Sequence, residues 1–170
     1  EITQVDQNSS IDFNEKRRMG VNPSYVCELI RNDAIDDFIV YVNRYNISLE
    51  NTIIKHSIFE TNEFLLDKLP TFIEYAAFYG SIQVFQYLRL NNVSLNSSLW
   101  LYVIHSKNAE LIHLLEENHV EPPDNSYKSI FEEAIKCHHN DIARYIQDTF
   151  LTGNNFAPIC YRYCNYDLFP

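Results

Sequence analysis

A 13-residue pattern recurs four times in this chain, and such internal repetition constrains the architecture more than any other feature. Each copy has two small or apolar residues, then four mostly polar or turn-like residues, then an apolar stripe. The four ungapped copies are Leu29–Tyr41, Ala76–Leu88, Val103–Leu115 and Ala134–Ile146. This pattern is typical of one short helix that turns back into a second. It predicts an all-α stack of helical pairs, an architecture suited to binding rather than to catalysis.

The spacing of apolar residues supports the helical interpretation. In the second copy, Ala76 and Ala77 lie three and four residues beyond Ile73, so the three share one helix face. After Gly80 the same spacing resumes on a second helix. Trp100 takes an apolar first-helix position in the third copy, and we expect it in the core between neighbouring pairs.

A hydroxyl residue precedes each small or apolar pair by five positions, where it would cap the first helix by accepting a free backbone N–H. These residues are Ser24, Thr71, Ser98 and Ser129. Two of them are followed three residues later by glutamate, which predicts capping boxes. The two pairs are Thr71 with Glu74 and Ser129 with Glu132.

The intervals between copies define the domain organisation. The turns inside the pairs are expected at Asp33, Gly80, Lys107 and His138. The first interval is the longest and therefore contains an insertion at 47–70, in which 57–67 predicts an extra short helix. The expected segments are an N-terminal flank at 1–21, repeats at about 22–46, 71–97, 98–125 and 126–150, and a non-repeat tail at 151–170. We expect the flank to be loose or a single helix, and the tail to cap the stack or to be disordered.

Composition and charge limit the kinds of partner and location that we expect for this chain. Apolar residues make up 46% of the 170, as in a globular protein, and the net charge is -10, which would repel the phosphates of a nucleic acid. No apolar run reaches the roughly 18 residues of a membrane span. The four cysteines are few and irregularly spaced, and no signal peptide is evident, so we expect reduced thiols in a cytoplasmic protein.

The repeats resemble the ankyrin family. The family's first-helix phrase T-P-L-H-x-A-A-x-x-G-H is matched best by residues 71–81, its I-V-x-L-L stripe by 84–88, and its closing G-A-D-V-N by 92–96. The resemblance covers about 22–150 and is greatest with the divergent ankyrin-like domains abundant in parasitic protists. No copy has the proline or the histidine of the phrase, and only Gly80 keeps the turn glycine. The resemblance implies an ankyrin-like solenoid of about four stacked helix-turn-helix repeats, with short or missing hairpin fingers.

The resemblance also implies a binding face, because the first helices of ankyrin arrays line a concave groove. The centre of that face is aromatic here, as a binding hot spot requires. The residues expected to contact a protein partner are Tyr75, Phe78, Tyr79, Tyr102, His105, Arg31 and Lys136. Alternatively, the rings pack against the insertion or against each other. The chain would then be a structural spacer, or the N-terminal module of a longer repeat protein, with no partner of its own.

No catalytic site, cofactor, small-molecule substrate or metal is expected. Carboxylate pairs such as Glu132 and Glu133 are adjacent on helices and do not face each other. Nothing local supports a cysteine–histidine nucleophile. A zinc alternative remains, although three consecutive residues rarely ligate one ion. Its ligands would be Cys137, His138 or His139, Cys160 and Cys164.

Overall fold

The computed structural model describes residues 12–151 and 156–168. Over these residues the all-α prediction is confirmed, and the one β pairing among them is an isolated bridge between Ile53 and Thr71. The helices are α1 (12–19), α2 (Tyr25–Arg31), α3 (Ile35–Arg44), α4 (Glu63–Leu66), α5 (Phe72–Tyr79), α6 (Ile82–Leu90), α7 (Leu99–Ser106), α8 (Ala109–Glu117), α9 (Lys128–Lys136), α10 (Asn140–Phe150) and α11 (Ala157–Arg162). Two 3₁₀ turns, Pro123–Asn125 and Tyr166–Leu168, complete the described elements. Residues 1–11 of the predicted flank lie outside the described part.

The helices pack in the pairs that the sequence pattern predicts. Helix α2 contacts α3, α5 contacts α6, α7 contacts α8, and α9 contacts α10. The first members of the four pairs, together with α11, also contact one another in chain order, from α2 through α5, α7 and α9 to α11. We call these five the first-helix row. Its core includes Trp100, which is fully buried as predicted and donates from Nε1 to the Val120 carbonyl at 2.8 Å.

Each predicted turn contains a residue in the left-handed region. The φ angle is 49° at Asp33, 73° at Gly80, 55° at Lys107 and 56° at His138. In three pairs the next residue donates its N–H to a carbonyl five positions back, which closes the end of the first helix in a Schellman-type motif. These bonds run from Ala34 to Leu29, Ser81 to Ala76 and His139 to Ala134, at 2.9–3.0 Å.

The same kind of turn also occurs in the tail, for which the sequence predicts no repeat. Cys164 has φ 53°, and Asn165 donates to the Cys160 carbonyl at 2.9 Å. The Asn165 side chain is buried and donates to the Ile135 carbonyl at 3.1 Å, which ties this turn to α9. The sequence pattern does not include this turn, because a 3₁₀ turn without an apolar stripe follows it in place of a second helix. Residues 152–155 and 169–170 of the predicted tail lie outside the described part.

Of the four predicted capping residues, one makes the predicted side-chain bond to its helix. Thr71 accepts from the Glu74 N–H while the Glu74 carboxylate accepts from Thr71, so this capping box is confirmed. Ser24 and Ser98 precede their helices but make no side-chain cap bond. The box at Ser129 is wrong, because α9 already begins at Lys128 and the buried Ser129 hydroxyl has no hydrogen-bond partner.

No helix in the described ranges is long and apolar enough to cross a membrane. All four cysteines are free thiols, two of them buried (Cys27 and Cys160).

Candidate functional site

Helices α5 and α7 are apolar nearly all round, with the sequences FIEYAAFY and LWLYVIHS. Such a helix must be covered on more than one side. The row and the second helices cover one side of α5, yet every residue of Phe72–Phe78 is buried, including Glu74. A further piece of the chain therefore lies over the first-helix row.

That piece is the insertion, residues 47–70, which we call the cover segment. Its short helix α4 confirms the extra helix predicted within 57–67, and Asn62 caps it by accepting from the Phe64 N–H at 3.0 Å. Hydrogen bonds tie the segment to the rest of the chain. Asn22 donates to the Lys55 carbonyl at 2.9 Å, and Thr61 donates to the Gly20 carbonyl at 3.1 Å.

Phe64 is the cover residue that contacts the aromatic centre of the row. Its ring centroid lies 4.3 Å from that of His105, 5.0 Å from that of Tyr102 and 5.9 Å from that of Phe78. Sequence reasoning placed this residue on a short helix and gave it no role. The local signal that this helix packs against another element is the run of three apolar residues Phe64, Leu65 and Leu66.

The seven residues predicted to bind a partner are divided by burial. Tyr75, Phe78 and Tyr102 are buried, with exposed fractions of 1%, 8% and 4%, so in this structure their rings pack inside the chain. Tyr79, His105 and Arg31 are half-buried, and Lys136 is exposed. The arrangement of the first three matches the internal-packing alternative, with the insertion as the packing element.

Arg31 is held by the tyrosines of α5 rather than by solvent. Its Nη1 donates to the Asn22 carbonyl at 2.6 Å and to the Tyr75 hydroxyl at 3.1 Å, and its guanidinium lies 5.9 Å from the Tyr79 ring. Burial raises the pKa of both phenols above the ordinary value. The phenols therefore remain neutral donors and acceptors, and this cluster joins the first pair to the second.

A second polar cluster lies between α7 and α9. His105 Nε2 donates to Glu133 Oε1 at 3.0 Å, and the Cys137 sulfur lies 3.6 Å from His105 Nδ1 and 3.8 Å from the same carboxylate oxygen. Burial would raise the pKa of Glu133, but the hydrogen bond from His105 and the charge of Lys136 outweigh it and lower that pKa. Burial and the Glu133 charge raise the pKa of the Cys137 thiol to about 11.

The zinc ligands considered from the sequence are not brought together. His138 occupies the left-handed turn, and His139 Nδ1 bonds to the Ile104 carbonyl at 2.7 Å. Cys160 is buried and Cys164 is exposed. Within the described ranges, the one group of three metal-binding side chains with ligand atoms within 4.8 Å is His105, Glu133 and Cys137. Sequence reasoning missed this group because His105 comes from a different helix.

Comparison with known proteins adds no relative: no protein-family model, curated protein or solved structure matches this chain significantly.

Proposed function

We propose that this chain is a non-catalytic, ankyrin-like repeat module that binds a protein segment on its first-helix row. The ankyrin-like part is supported by the recurrence of one helix–turn–helix geometry at Asp33, Gly80, Lys107 and His138, and by the contacts along the row. The connections at 91–98 and 118–127 contain no strand, as expected for missing hairpin fingers. A cytoplasmic location remains a prediction.

One observation carries the binding proposal: the aromatic centre of the row accommodates an aromatic side chain presented by a short helix. That helix is the chain's own α4, and its Phe64 meets Phe78, Tyr102 and His105. Any segment presenting a comparable ring has the chemistry to replace it. Because the chain carries a net charge of -10, the partner segment should be basic around its aromatic anchor.

The cover segment is attached in a way that suits displacement. Its described hydrogen bonds to other parts of the chain involve segment residues that precede α4. Ser94 donates to Glu50, Asn22 donates to Lys55 and Glu60, and Thr61 donates to Gly20. In contrast, the hydrogen bonds described for Asn62–Leu66 are local to the segment. Phe64 and Leu65 therefore hold α4 on the row by packing alone, and a partner has few specific bonds to break there.

The test is a selection of displayed random peptides on the wild-type chain and on the Phe64→Ala variant. We expect peptides with an aromatic residue flanked by Lys or Arg, bound more tightly by the variant because no internal ring competes. Amide exchange should show protection of α7 in the bound state. A selection that enriches no peptide on either protein would contradict the proposal and favour the spacer alternative. The burial of Tyr75 and Tyr102 is consistent with that alternative.

A further inference from the structure

We propose that His105, Glu133 and Cys137 form a zinc-binding site between α7 and α9. The three side chains offer a nitrogen, an oxygen and a sulfur, which is a ligand set that Zn²⁺ accepts. This inference is independent of the proposed binding of a protein segment.

The distances match a tetrahedral centre. With bonds of about 2.0 Å to nitrogen and oxygen and about 2.3 Å to sulfur, tetrahedral angles require a nitrogen–oxygen separation of about 3.3 Å and separations from sulfur of about 3.5 Å. His105 Nε2 lies 3.0 Å from Glu133 Oε1, and the Cys137 sulfur lies 4.0 Å from that nitrogen and 3.8 Å from that oxygen. Each separation differs from the required one by a fraction of an ångström that side-chain rotation supplies.

The positions of the three residues are fixed by the fold. Glu133 and Cys137 are one helical turn apart at the end of α9, so they project from one face. His105 reaches them from α7, and its ring packs against those of Phe64 and Phe78, with centroid distances of 4.3 and 4.9 Å. The site is shielded, since the His105 and Glu133 side chains are 12% and 16% exposed. One coordination position is left for water.

The electrostatics of the cluster also favour a cation. The half-buried Glu133 carboxylate faces the Cys137 sulfur at 3.8 Å, and a divalent ion would stabilise both as anionic ligands at once. Lys136 Nζ is 3.8 Å from the Glu133 carboxylate, but this side chain is 44% exposed and free to turn into solvent. Zinc binding would replace the His105–Glu133 hydrogen bond, with the neutral imidazole keeping its proton on Nδ1 instead of Nε2, and would release the Cys137 thiol proton to water.

The test is a calorimetric titration of Zn²⁺ into the full chain after treatment with a chelator, with Co²⁺ absorption as the second readout. We expect one ion per chain and, for Co²⁺, the charge-transfer band of a thiolate ligand. Cys137→Ser and Glu133→Gln preserve side-chain shape and should each weaken Zn²⁺ binding by at least the roughly 10- to 100-fold that loss of an outer-shell partner costs. Cys164→Ser and His113→Gln, which change exposed residues, should leave it unchanged.

Two results would overturn the zinc proposal. One is the absence of binding by the folded wild-type chain, or binding that Cys164→Ser abolishes and Cys137→Ser does not. The other is rapid alkylation of Cys137 by iodoacetamide at pH 7 in the metal-free chain, lost in His105→Gln and read by mass spectrometry of the Cys137 peptide. That reactivity would identify the cluster as a cysteine–histidine nucleophile instead. Alkylation of Cys137 that added Zn²⁺ slows, while alkylation of the exposed Cys164 is not slowed, supports the proposal.

Discussion

The ring of Phe64 lies 4.3 Å from the His105 ring, so a residue of the insertion closes the aromatic centre of the first-helix row. This contact joins the cover segment to the third helical pair, although the segment follows the first pair in the chain. It explains why helices as apolar as α5 and α7 need no partner molecule to be covered.

Removing this ring should destabilise the chain. Phe64→Ala deletes three ring contacts, and because Phe64 is only partly buried we expect a loss of about 1–3 kcal/mol, below the range for a fully buried Phe. Urea denaturation measures the loss. Leu66→Ala is the matched control, since Leu66 is 45% exposed on the same helix and should cost much less. Equal effects of the two substitutions would show that α4 does not pack as described.

The two hydroxyl residues predicted to form capping boxes should behave differently. Thr71→Ala removes a capping-box bond and should cost about 1 kcal/mol. Ser129→Ala removes a buried hydroxyl without a partner, so stability should be unchanged or should rise by up to about 1 kcal/mol. Equilibrium unfolding of both variants checks the contrast. A clear loss in Ser129→Ala would contradict the start of α9 at Lys128.

Opposite effects are expected at two equivalent turn positions. Lys107→Gly relieves a non-glycine residue at φ 55° and should stabilise the chain by about 0.5–1 kcal/mol. Gly80→Ala introduces a Cβ at φ 73°, 3.3 Å from the Ser106 Cβ, and should destabilise it by at least about 1 kcal/mol.

Thermal melts of the two turn variants measure these changes in stability. Asp148→Gly, inside α10, is the control in which glycine should be unfavourable, by about 1 kcal/mol. Stabilisation by Gly80→Ala would refute the left-handed turn.

Alkaline stability should depend on Tyr145. Burial, followed by the Glu116 carboxylate that accepts its hydroxyl at 2.7 Å, raises the pKa of this phenol to about 12. A raised folded-state pKa contributes stability that is present below the ordinary value near 10 and is lost as the pH rises towards 12.

Unfolding of Tyr145→Phe across this pH range should therefore show a smaller loss of stability than unfolding of the wild type. Tyr161→Phe is the control, because Tyr161 is 69% exposed. Identical pH profiles of Tyr145→Phe and the wild type would exclude this coupling.

The sequence predicted what depends on local spacing. Helices and turns could be located because apolar residues recur every three or four positions, and because Thr71 and Glu74 stand at the separation of a capping box. The capping box predicted from the same spacing at Ser129 is wrong because α9 begins one residue earlier, at Lys128. A pattern of two residues does not determine where a helix begins.

What the sequence could not predict depends on which segments meet. The burial of Tyr75 and Tyr102 follows from the path of the cover segment, and no periodicity encodes that path. The cluster of His105 with Glu133 and Cys137 joins two helices, so its members are distant in the chain. The zinc ligands considered around His138 are kept apart by the fold for the same reason.

The most direct test of the central claim adds the cover segment back as a separate molecule. A labelled peptide of residues 57–69 is titrated into the Phe64→Ala chain and followed by fluorescence anisotropy. We predict saturable binding, weakened at least about tenfold when the peptide itself carries Phe64→Ala and much less when it carries Leu66→Ala. Absence of binding, or binding indifferent to Phe64, would contradict the claim that the first-helix row recognises an aromatic segment.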